Sequence, residues 1–361
     1  MPGPILIYVH DLRASGVVAN ALAIARRVAA EREVVLVAGH GVGLHVDADI
    51  APARLEVIED DGTSKLSPVG PLRQLIRAMK PALVLSAGNL GHGTVWLAAR
   101  GSGVRTAYRI SNAVDRPGGG LRTRIRRAWH GRLASDADLL LLVGQSLKDR
   151  PPYAAAMAAG RAVVIPNGID LDKARRLAQT PAPHPWLADK VLPVVMAVGR
   201  IHPQKNLPML LDAAALAMAA RPFRLVLVGK GPDDAVAALK AQARDLGIAD
   251  NVLFAGEQAN VFAWLSHADQ FALVSRWEGS SNALLEAMAV GTPLLASRQA
   301  GDAAVVLDGG RYGLLVDGNS EAAIAHGILR QLDKPVKPGK RAEAYRLADT
   351  LDAYALALTA F

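Results

Sequence analysis

The chain of 361 residues contains no cysteine and few aromatic residues, and these absences narrow its chemistry. Without cysteine there can be no disulfide, no thiol nucleophile and no cysteine-ligated zinc. Aromatic residues make up 4% of the chain and are not interleaved with basic clusters, which argues against a nucleic-acid-binding surface. No stretch reaches the roughly 18 uninterrupted apolar residues that a membrane-spanning helix needs.

The N-terminal sequence also lacks the features of an export signal. Met-Pro-Gly-Pro precedes a short apolar run, Ile5–Val9, and no basic segment stands ahead of it. We therefore expect a cytoplasmic protein. A formal net charge of +8 at pH 7 predicts an anionic partner, such as a phosphorylated substrate or an acidic lipid.

Short apolar runs alternate with longer helical patterns along the whole chain, which predicts an α/β protein with doubly wound parallel sheets. The predicted strands are Ile5–Val9, Val34–Ala38, Leu83–Ser86, Val104–Ile110, Leu139–Val143, Val163–Ile165, Val194–Val198, Arg224–Val228, Val252–Ala255, Phe271–Val274 and Leu294–Ala296. The length suits two domains. A turn at residues 166–170 and four prolines between residues 180 and 193 predict the linker.

Residues 278–291 form the most informative stretch and read Glu-Gly-Ser-Ser-Asn-Ala-Leu-Leu-Glu-Ala-Met-Ala-Val-Gly. Two carboxylates, Glu278 and Glu286, flank a polar turn that opens an apolar helix, and residues 280–282 are natural N-cap types. A helix start offers free N–H groups and a partial positive charge to an anion. The pattern predicts a phosphate held between two hydroxyl-binding carboxylates, which is the layout of a nucleotide sugar.

A second cluster follows the predicted strand Val194–Val198. Arg200 comes directly after Gly199, and Lys205 comes five residues after Arg200. In an open parallel sheet, ligands bind at the carboxyl ends of the strands. Two cations there can neutralise a diphosphate and stabilise it as a leaving group.

Three motifs in this order resemble the retaining glycosyltransferases of family 4, also called glycosyl transferases group 1. They are Gly199-Arg200 with Lys205-Asn206, then Val228-Gly229-Lys230-Gly231-Pro232, then Glu278 with Glu286-Ala-Met. The resemblance covers roughly residues 160 to 330 well and the N-terminal half loosely. It implies the GT-B fold, two Rossmann-like doubly wound parallel-sheet domains facing a cleft.

The resemblance also implies a domain plan and residue roles. Residues 1–170 would bind the acceptor, residues 171–335 the nucleotide sugar, and residues 336–361 would carry a helix that returns to the N-terminal domain. Glu278 would contact the transferred sugar and Glu286 the ribose, while Arg200 and Lys205 would hold the diphosphate. The implied donor-binding set is completed by Gly16, Gly229, Ser281, Asn282, Ala283 and Leu284.

On the N-terminal side the expected residues follow predicted strands. His92 would act at the transferred sugar, as a fourth catalytic residue beside Glu278, Arg200 and Lys205, and Asn89, His92, Arg109 and Asn112 would line the acceptor side. Purely structural roles are the alternative at these positions and at Gly16. Gly16 can belong to a βα turn, His92 can begin a helix, and Asn112 can form a turn.

Residues 121–133 predict a basic amphipathic helix. Leu121, Ile125, Ala128, Trp129 and Leu133 share one stripe, and five arginines between Arg122 and Arg132 cover the rest. Such a helix suits an anionic membrane surface, which would make the protein peripheral on the inner face of the membrane. A sheet-covering helix with a solvated arginine face is the alternative.

The sequence thus predicts a retaining transferase that moves a hexose or N-acetylhexosamine, UDP-linked by resemblance, to a saccharide or lipid-linked acceptor in surface polysaccharide synthesis. We expect no metal and no other cofactor, because two cations take the metal's place. Asp47-Ala48-Asp49 and Asp136-Ala137-Asp138 have the form of a metal-binding Asp-x-Asp motif but lack its context. The alternatives are a nucleotide-sugar epimerase or hydrolase of GT-B-like fold, and a catalytically silent nucleotide-sugar-binding subunit.

Overall fold

The structure is a computed structural model that describes residues 3–13, 15–42, 50–58, 64, 66–112 and 120–361. These residues form two compact units. The N-terminal unit comprises the described residues up to Pro166 together with Ala348–Phe361, and the C-terminal unit comprises Asn167–Leu347. The final helix therefore belongs to the N-terminal unit, although the whole C-terminal unit precedes it in the chain.

Each unit contains one parallel sheet. The strands of the N-terminal unit are β1 (Ile5–Asp11), β2 (Val34–His40), β3 (Arg54–Val57), β4 (Leu83–Ser86), β5 (Arg105–Ile110), β6 (Leu139–Leu142) and β7 (Ala162–Val164), in the order β3-β2-β1-β4-β5-β6-β7. Those of the C-terminal unit are β8 (Val194–Val198), β9 (Arg224–Val228), β10 (Val252–Gly256), β11 (Gln270–Leu273), β12 (Leu294–Ser297) and β13 (Leu314–Val316), in the order β10-β9-β8-β11-β12-β13. Both orders reverse direction beside the first strand of the sheet, as in doubly wound folds.

Helices connect the strands. They are α1 (Gly16–Ala29), α2 (Val69–Met79), α3 (His92–Ala99), α4 (Leu121–Asp136), α5 (Gln145–Lys148), α6 (Pro151–Ala158), α7 (Leu171–Ala178), α8 (Pro185–Ala188), α9 (Leu207–Ala220), α10 (Asp233–Asp245), α11 (Val261–His267), α12 (Asn282–Ala289), α13 (Ala303–Val306), α14 (Glu321–Asp333) and α15 (Leu347–Thr359). In the part of the chain that the structure describes, no helix combines the length and apolar character that a membrane span requires.

The central strands are largely apolar because helices cover both faces of each sheet. In the N-terminal unit, Ile5 and Ile7 face one core with α1 and α15, whereas Leu6 and Tyr8 face the other core with α2, α3, α4 and α6. In the C-terminal unit, α9 and α14 pack against one face, and α11 and α12 against the other.

The apolar runs located eleven of the strands, but the short edge strands β3 and β13 were not predicted. β3 carries an exposed arginine, Arg54, and its other residues are half-buried, so it contains no continuous apolar run. β13 has three residues. Edge strands pair on one side only, which leaves a weak pattern in the sequence.

The chain leaves the N-terminal unit at the turn predicted at residues 166–170, whereas the prolines of the predicted linker do not separate the two units. The proline-rich residues 180–193 lie inside the C-terminal unit, where Leu187 of α8 is buried in the core beside Met196 and Trp264. The chain passes between units after Pro166 and again after Leu347, so the boundaries differ from the expected 170 and 335. Prolines end secondary structure as readily within a domain as between domains.

Candidate functional site

The candidate site lies at the carboxyl ends of β8 and β11, the neighbouring strands at which the order of the C-terminal sheet reverses. The loop after β8 carries Arg200 and Lys205, and the loop after β11 carries Glu278. The crevice beside such a reversal is where open α/β sheets bind ligands. Two separate sequence motifs are thereby brought to one sheet edge.

Glycines allow the backbones at this edge to approach closely. Gly199 and Gly229 adopt φ values of 147° and 138°. A Cβ atom on Gly229 would lie 2.0 Å from the carbonyl oxygen of Gly199, which no side chain could tolerate. The loops after β8 and β9 therefore pack backbone to backbone beside the site.

Glu278 is 7% exposed and its carboxylate accepts three hydrogen bonds. Lys205 Nζ donates to Oε1 over 2.6 Å, and Ser275 Oγ donates to the same oxygen over 2.9 Å. Gln204 Nε2 donates to Oε2 over 2.9 Å. Lys205 and Glu278, predicted independently, thus form a largely buried ion pair.

Helix α12 begins directly after this loop. Ser281 is its N-cap and accepts a hydrogen bond from the backbone N–H of Leu284. The side chain of Asn282 instead accepts a hydrogen bond from Asn167 Nδ2 over 2.7 Å, and the same amide group donates to Ser280 O. Because Ser281 caps Leu284, the first N–H groups of the helix, at Asn282 and Ala283, are the ones in position to meet an anion.

Glu286 lies one turn further along α12 and is half-buried. Burial raises the pKa of its carboxyl above the ordinary value, and the nearby Lys205 charge acts in the opposite direction. Arg200, at the end of β8, is exposed. The site therefore presents two cations, two carboxylates and a helix start within one unit.

Comparison with protein families accounts for most of the chain. A model described as Glycosyl transferases group 1 matches residues 192–334, and one described as Glycosyltransferase Family 4 matches residues 14–173. The chain belongs to glycosyltransferase family 4. The predicted motifs at Arg200, Lys205, Glu278 and Glu286 all lie within the first of these matches.

Characterised relatives of this family 4 member share part of its sequence. A D-inositol 3-phosphate glycosyltransferase of Acidothermus cellulolyticus is 39% identical over 42% of this chain and 35% of its own length. A GDP-mannose-dependent phosphatidylinositol monomannoside mannosyltransferase of Mycolicibacterium smegmatis is 32% identical over 55% of this chain and 53% of its own length. The chain spans about a third to a half of the length of these two relatives.

Solved structures resemble the family 4 chain over its whole length. HepE of Anabaena, in complex with UDP-glucose, superposes with a TM-score of 0.80 at 20% identity, covering 99% of this chain and 100% of HepE. Sucrose-phosphate synthase of Thermosynechococcus elongatus gives a TM-score of 0.74 at 19% identity, covering 99% and 97%. The predicted GT-B architecture of two Rossmann-like parallel-sheet domains is confirmed.

Some residues expected on the N-terminal side of this family 4 protein lie at the carboxyl edge of its sheet. Gly16 is exposed at the start of α1, where Ser15 caps the helix. Asn89 is exposed after β4, and its Oδ1 accepts hydrogen bonds from the backbone and hydroxyl of Ser111 after β5. Asn112 follows and is half-buried. Three predicted residues, Gly16, Asn89 and Asn112, thus share the edge that the sequence predicted.

His92 differs from expectation because it lies inside the N-terminal unit. It is 1% exposed, its Nδ1 is hydrogen-bonded to Ser86 Oγ over 2.8 Å, and its ring packs edge-on against Tyr108. Burial lowers its pKa to about 3, and the charges of His130 and Arg109 act in the same direction. The imidazole is therefore enclosed and neutral at pH 7, and its contact with the transferred sugar stays a prediction.

Arg109 also departs from its expected acceptor-side role. It is 2% exposed, and its Nε donates a 2.8 Å hydrogen bond to the hydroxyl of Tyr354 on α15. A buried guanidinium needs such a partner, and this one lies 245 residues away. Arg109 therefore ties the C-terminal helix to the N-terminal sheet.

Helix α4 is only partly a sheet-covering helix. Leu133 is buried at its C-terminal end and Trp129 is half-buried against Trp96. At its N-terminal end, Leu121 and Ile125 are 70% and 60% exposed. The predicted apolar stripe is thus covered at one end and bare at the other.

The Asp-x-Asp motifs have structural roles or lie outside the described residues. Asp136 pairs with Arg132 and accepts from the Trp96 indole, and Asp138 accepts from the backbone N–H of Thr106. Asp47-Ala48-Asp49 lies outside the described residues. Asp136 and Asp138 therefore have structural roles within the N-terminal unit.

Sequence reasoning missed three polar residues of the site. Gln204 and Ser275 bind the Glu278 carboxylate, and Asn167 binds the start of α12. Asn167 stood out only as part of a turn. Gln204 directly precedes the predicted Lys205, and Ser275 follows a predicted strand end, so both had a positional signal although no side-chain chemistry distinguished them.

Proposed function

We propose that this protein is a retaining glycosyltransferase that moves a hexose or N-acetylhexosamine from a UDP-linked donor to a saccharide or lipid-linked acceptor in surface polysaccharide synthesis. The observation that carries the proposal is the Lys205–Glu278 pair beside the start of α12. An ammonium, a helix start and carboxylates at one sheet edge match the phosphates and hydroxyls of a nucleotide sugar. The UDP-glucose complex of HepE supports UDP as the nucleotide.

In the proposed reaction, Arg200, Lys205 and the first N–H groups of α12 stabilise the departing diphosphate. Glu278 binds hydroxyls of the transferred sugar, and Glu286 binds the ribose. The bond between the anomeric carbon and the diphosphate oxygen breaks as the acceptor hydroxyl forms its new bond on the same face. A phosphate oxygen takes the hydroxyl proton. Fixed cations at the developing charge typically contribute 10²–10³ in rate each.

A donor panel tests this proposal. We expect UDP to raise the melting temperature of the protein, and one of UDP-glucose, UDP-galactose and UDP-N-acetylglucosamine to support transfer or slow hydrolysis in preference to GDP-mannose. Arg200→Ala should weaken UDP binding, whereas Arg221→Ala is the matched control because Arg221 lies before β9, at the opposite edge of the same sheet. Equal effects of the two variants, or no response to any nucleotide, would contradict the proposal. A donor converted to an epimer without acceptor would favour the epimerase.

We further propose that the protein is cytoplasmic and that α4 attaches it to the anionic inner face of the membrane. Leu121 and Ile125 are large, exposed apolar side chains surrounded by arginines. The basic face would approach anionic headgroups while the leucine and isoleucine enter the interface. A lipid-linked acceptor would be presented at the same surface.

Vesicle flotation tests the attachment. The protein should float with vesicles of phosphatidylglycerol and phosphatidylcholine, but not with phosphatidylcholine alone, and high salt should release it. The double change Leu121→Ser and Ile125→Ser should abolish flotation. Leu356→Ser is the control, since Leu356 is 76% exposed on α15, which packs on the opposite face of the sheet from α4. Flotation that survives the double change, or equal loss in the control, would place the contact elsewhere.

A further inference from the structure

We propose that Gln204 is a positioning residue that fixes the Glu278 carboxylate for the transferred sugar. The inference rests on the proposed function, because Glu278 is there the sugar-binding group. Gln204 is 6% exposed in the turn between β8 and α9. The chemistry of a glutamine did not distinguish Gln204 in the sequence, so its role is inferred from the contacts of its amide group.

Both amide hydrogens of Gln204 are used on the loop after β11. Nε2 donates to Trp277 O over 3.0 Å and to Glu278 Oε2 over 2.9 Å. The backbone of the same residue is also fixed. Its N–H donates to His202 Nδ1, and its carbonyl accepts from the N–H of Arg276. Gln204 therefore joins the two loops that carry Lys205 and Glu278.

The hydrogen bonds of Glu278 define where a sugar hydroxyl can bind. A carboxylate has about four lone-pair positions. Lys205 and Ser275 take both positions on Oε1, and Gln204 takes one on Oε2. One position on Oε2 stays available as an acceptor. Without Gln204, only the hydrogen bonds from Lys205 and Ser275 to Oε1 would hold the carboxylate, and Oε2 could rotate about them. The free acceptor position on Oε2 would then no longer be fixed.

Because Gln204 acts on Glu278, its substitution can change recognition of the sugar separately from recognition of the nucleotide. In the proposed function the nucleotide is bound by Arg200, Lys205, Glu286 and the start of α12. The Gln204 amide donates to none of these groups among the described residues, because its two hydrogen bonds go to Trp277 O and Glu278 Oε2. Loss of the amide should therefore reduce recognition of the sugar and leave recognition of the nucleotide intact. A residue that merely holds the fold together would change both together.

The test compares Gln204→Met, which keeps the length but removes both donors, with the wild-type protein. We expect turnover of the active donor to fall about 10- to 150-fold, the range for one hydrogen bond to a charged group, while the Kd for UDP stays unchanged. In Gln204→Met, the nucleotide sugar should bind with an affinity closer to that of UDP alone than it does in the wild-type protein. Gln204→Glu should lower turnover further, because it places a second carboxylate against Glu278.

Gln331→Met is the matched control. Gln331 is a buried glutamine of the same unit that also donates two hydrogen bonds, to Leu294 O and Val336 O. The Gln331→Met variant should have a lower melting temperature, while its kcat and its Kd for UDP stay unchanged. If Gln204→Met does not fold, Gln204→Asn keeps the amide one methylene short and should show the same selective loss. Unchanged turnover, or parallel losses of turnover and UDP affinity, would overturn the inference. A wild-type protein that neither binds UDP nor turns over any donor would overturn the proposed function instead.

Discussion

Lys205 Nζ and Glu278 Oε1 lie 2.6 Å apart although the two residues are separated by 73 positions and follow different strands. Each charge is therefore neutralised by the other before any donor arrives. Glu278→Gln should release the Lys205 charge, so that UDP binds at least as tightly as in the wild type. Turnover should fall about 10- to 150-fold, because a charge-assisted bond to the sugar is lost. Calorimetry with UDP and steady-state rates measure the two effects.

Lys205→Ala should differ from Glu278→Gln in its effect on UDP, which should bind more weakly than in the wild type. Its rate should also fall by about 10²–10³. The change removes a cation that the proposed reaction places against the leaving diphosphate. Should Glu278→Gln impair UDP binding as strongly as Lys205→Ala does, the roles would not be divided along the donor as proposed.

Glu286→Gln is expected to stabilise the ligand-free protein while it weakens UDP binding. Burial raises the pKa of Glu286, so the fold favours the neutral carboxyl, and its contribution to stability is lost as pH rises through that raised pKa. The neutral amide should therefore raise Tm at pH 7 to 8 and change it little near pH 4. Thermal melts at several pH values check this. A uniform shift at every pH would mean that ionisation of Glu286 is not the cause.

Transfer should survive EDTA, because in the proposed reaction Arg200, Lys205 and the start of α12 supply the positive charge for the diphosphate. The measurement is the initial rate with and without chelator. Loss of activity that Mn²⁺ or Mg²⁺ restores would require a metal-dependent reaction.

The stability of the N-terminal unit should fall as pH decreases below about 6.5. Burial lowers the pKa of His92 to about 3 and that of His130 to about 4. As the pH falls, the two imidazoles therefore bind protons in the unfolded chain at a higher pH than in the folded chain, which favours unfolding. His92→Asn should flatten the dependence of Tm on pH between 7 and 5. His326→Asn is the control, since His326 is exposed on α14. Identical slopes in wild type and His92→Asn would contradict the prediction.

Gln270→Met should stabilise the C-terminal unit by about 1–3 kcal/mol. Gln270 is fully buried at the start of β11, and among the described residues its amide has no hydrogen-bond partner. Methionine fills a similar volume without polar atoms. Gln331→Met, which removes satisfied hydrogen bonds, should destabilise the same unit in the same denaturant titration. Destabilisation by both changes would show that the Gln270 amide is satisfied in solution.

The sequence predicted the architecture and the donor-side cluster because both depend on local patterns. Apolar runs marked the central strands, and Arg200, Lys205, Glu278 and Glu286 belong to short motifs that each follow or flank one strand. Burial of polar groups could not be read in the same way. Arg109 lies near the end of β5 and His92 at the start of α3, and both positions are typical of ligand contacts. Yet Arg109 is buried with a hydrogen bond to Tyr354, which is far along the chain.

The discontinuous make-up of the N-terminal unit has a consequence for its synthesis. Tyr354, Ala355 and Leu358 of α15 fill the same core as Ile5 and Ile7. A ribosome makes the N-terminal sheet first, but the helix that closes this core emerges only after all of Asn167–Leu347. The C-terminal unit can therefore complete its fold before the unit that precedes it, reversing the usual N-to-C order of domain folding during translation. Until then, the part of this sheet face that α15 covers stays open to chaperones.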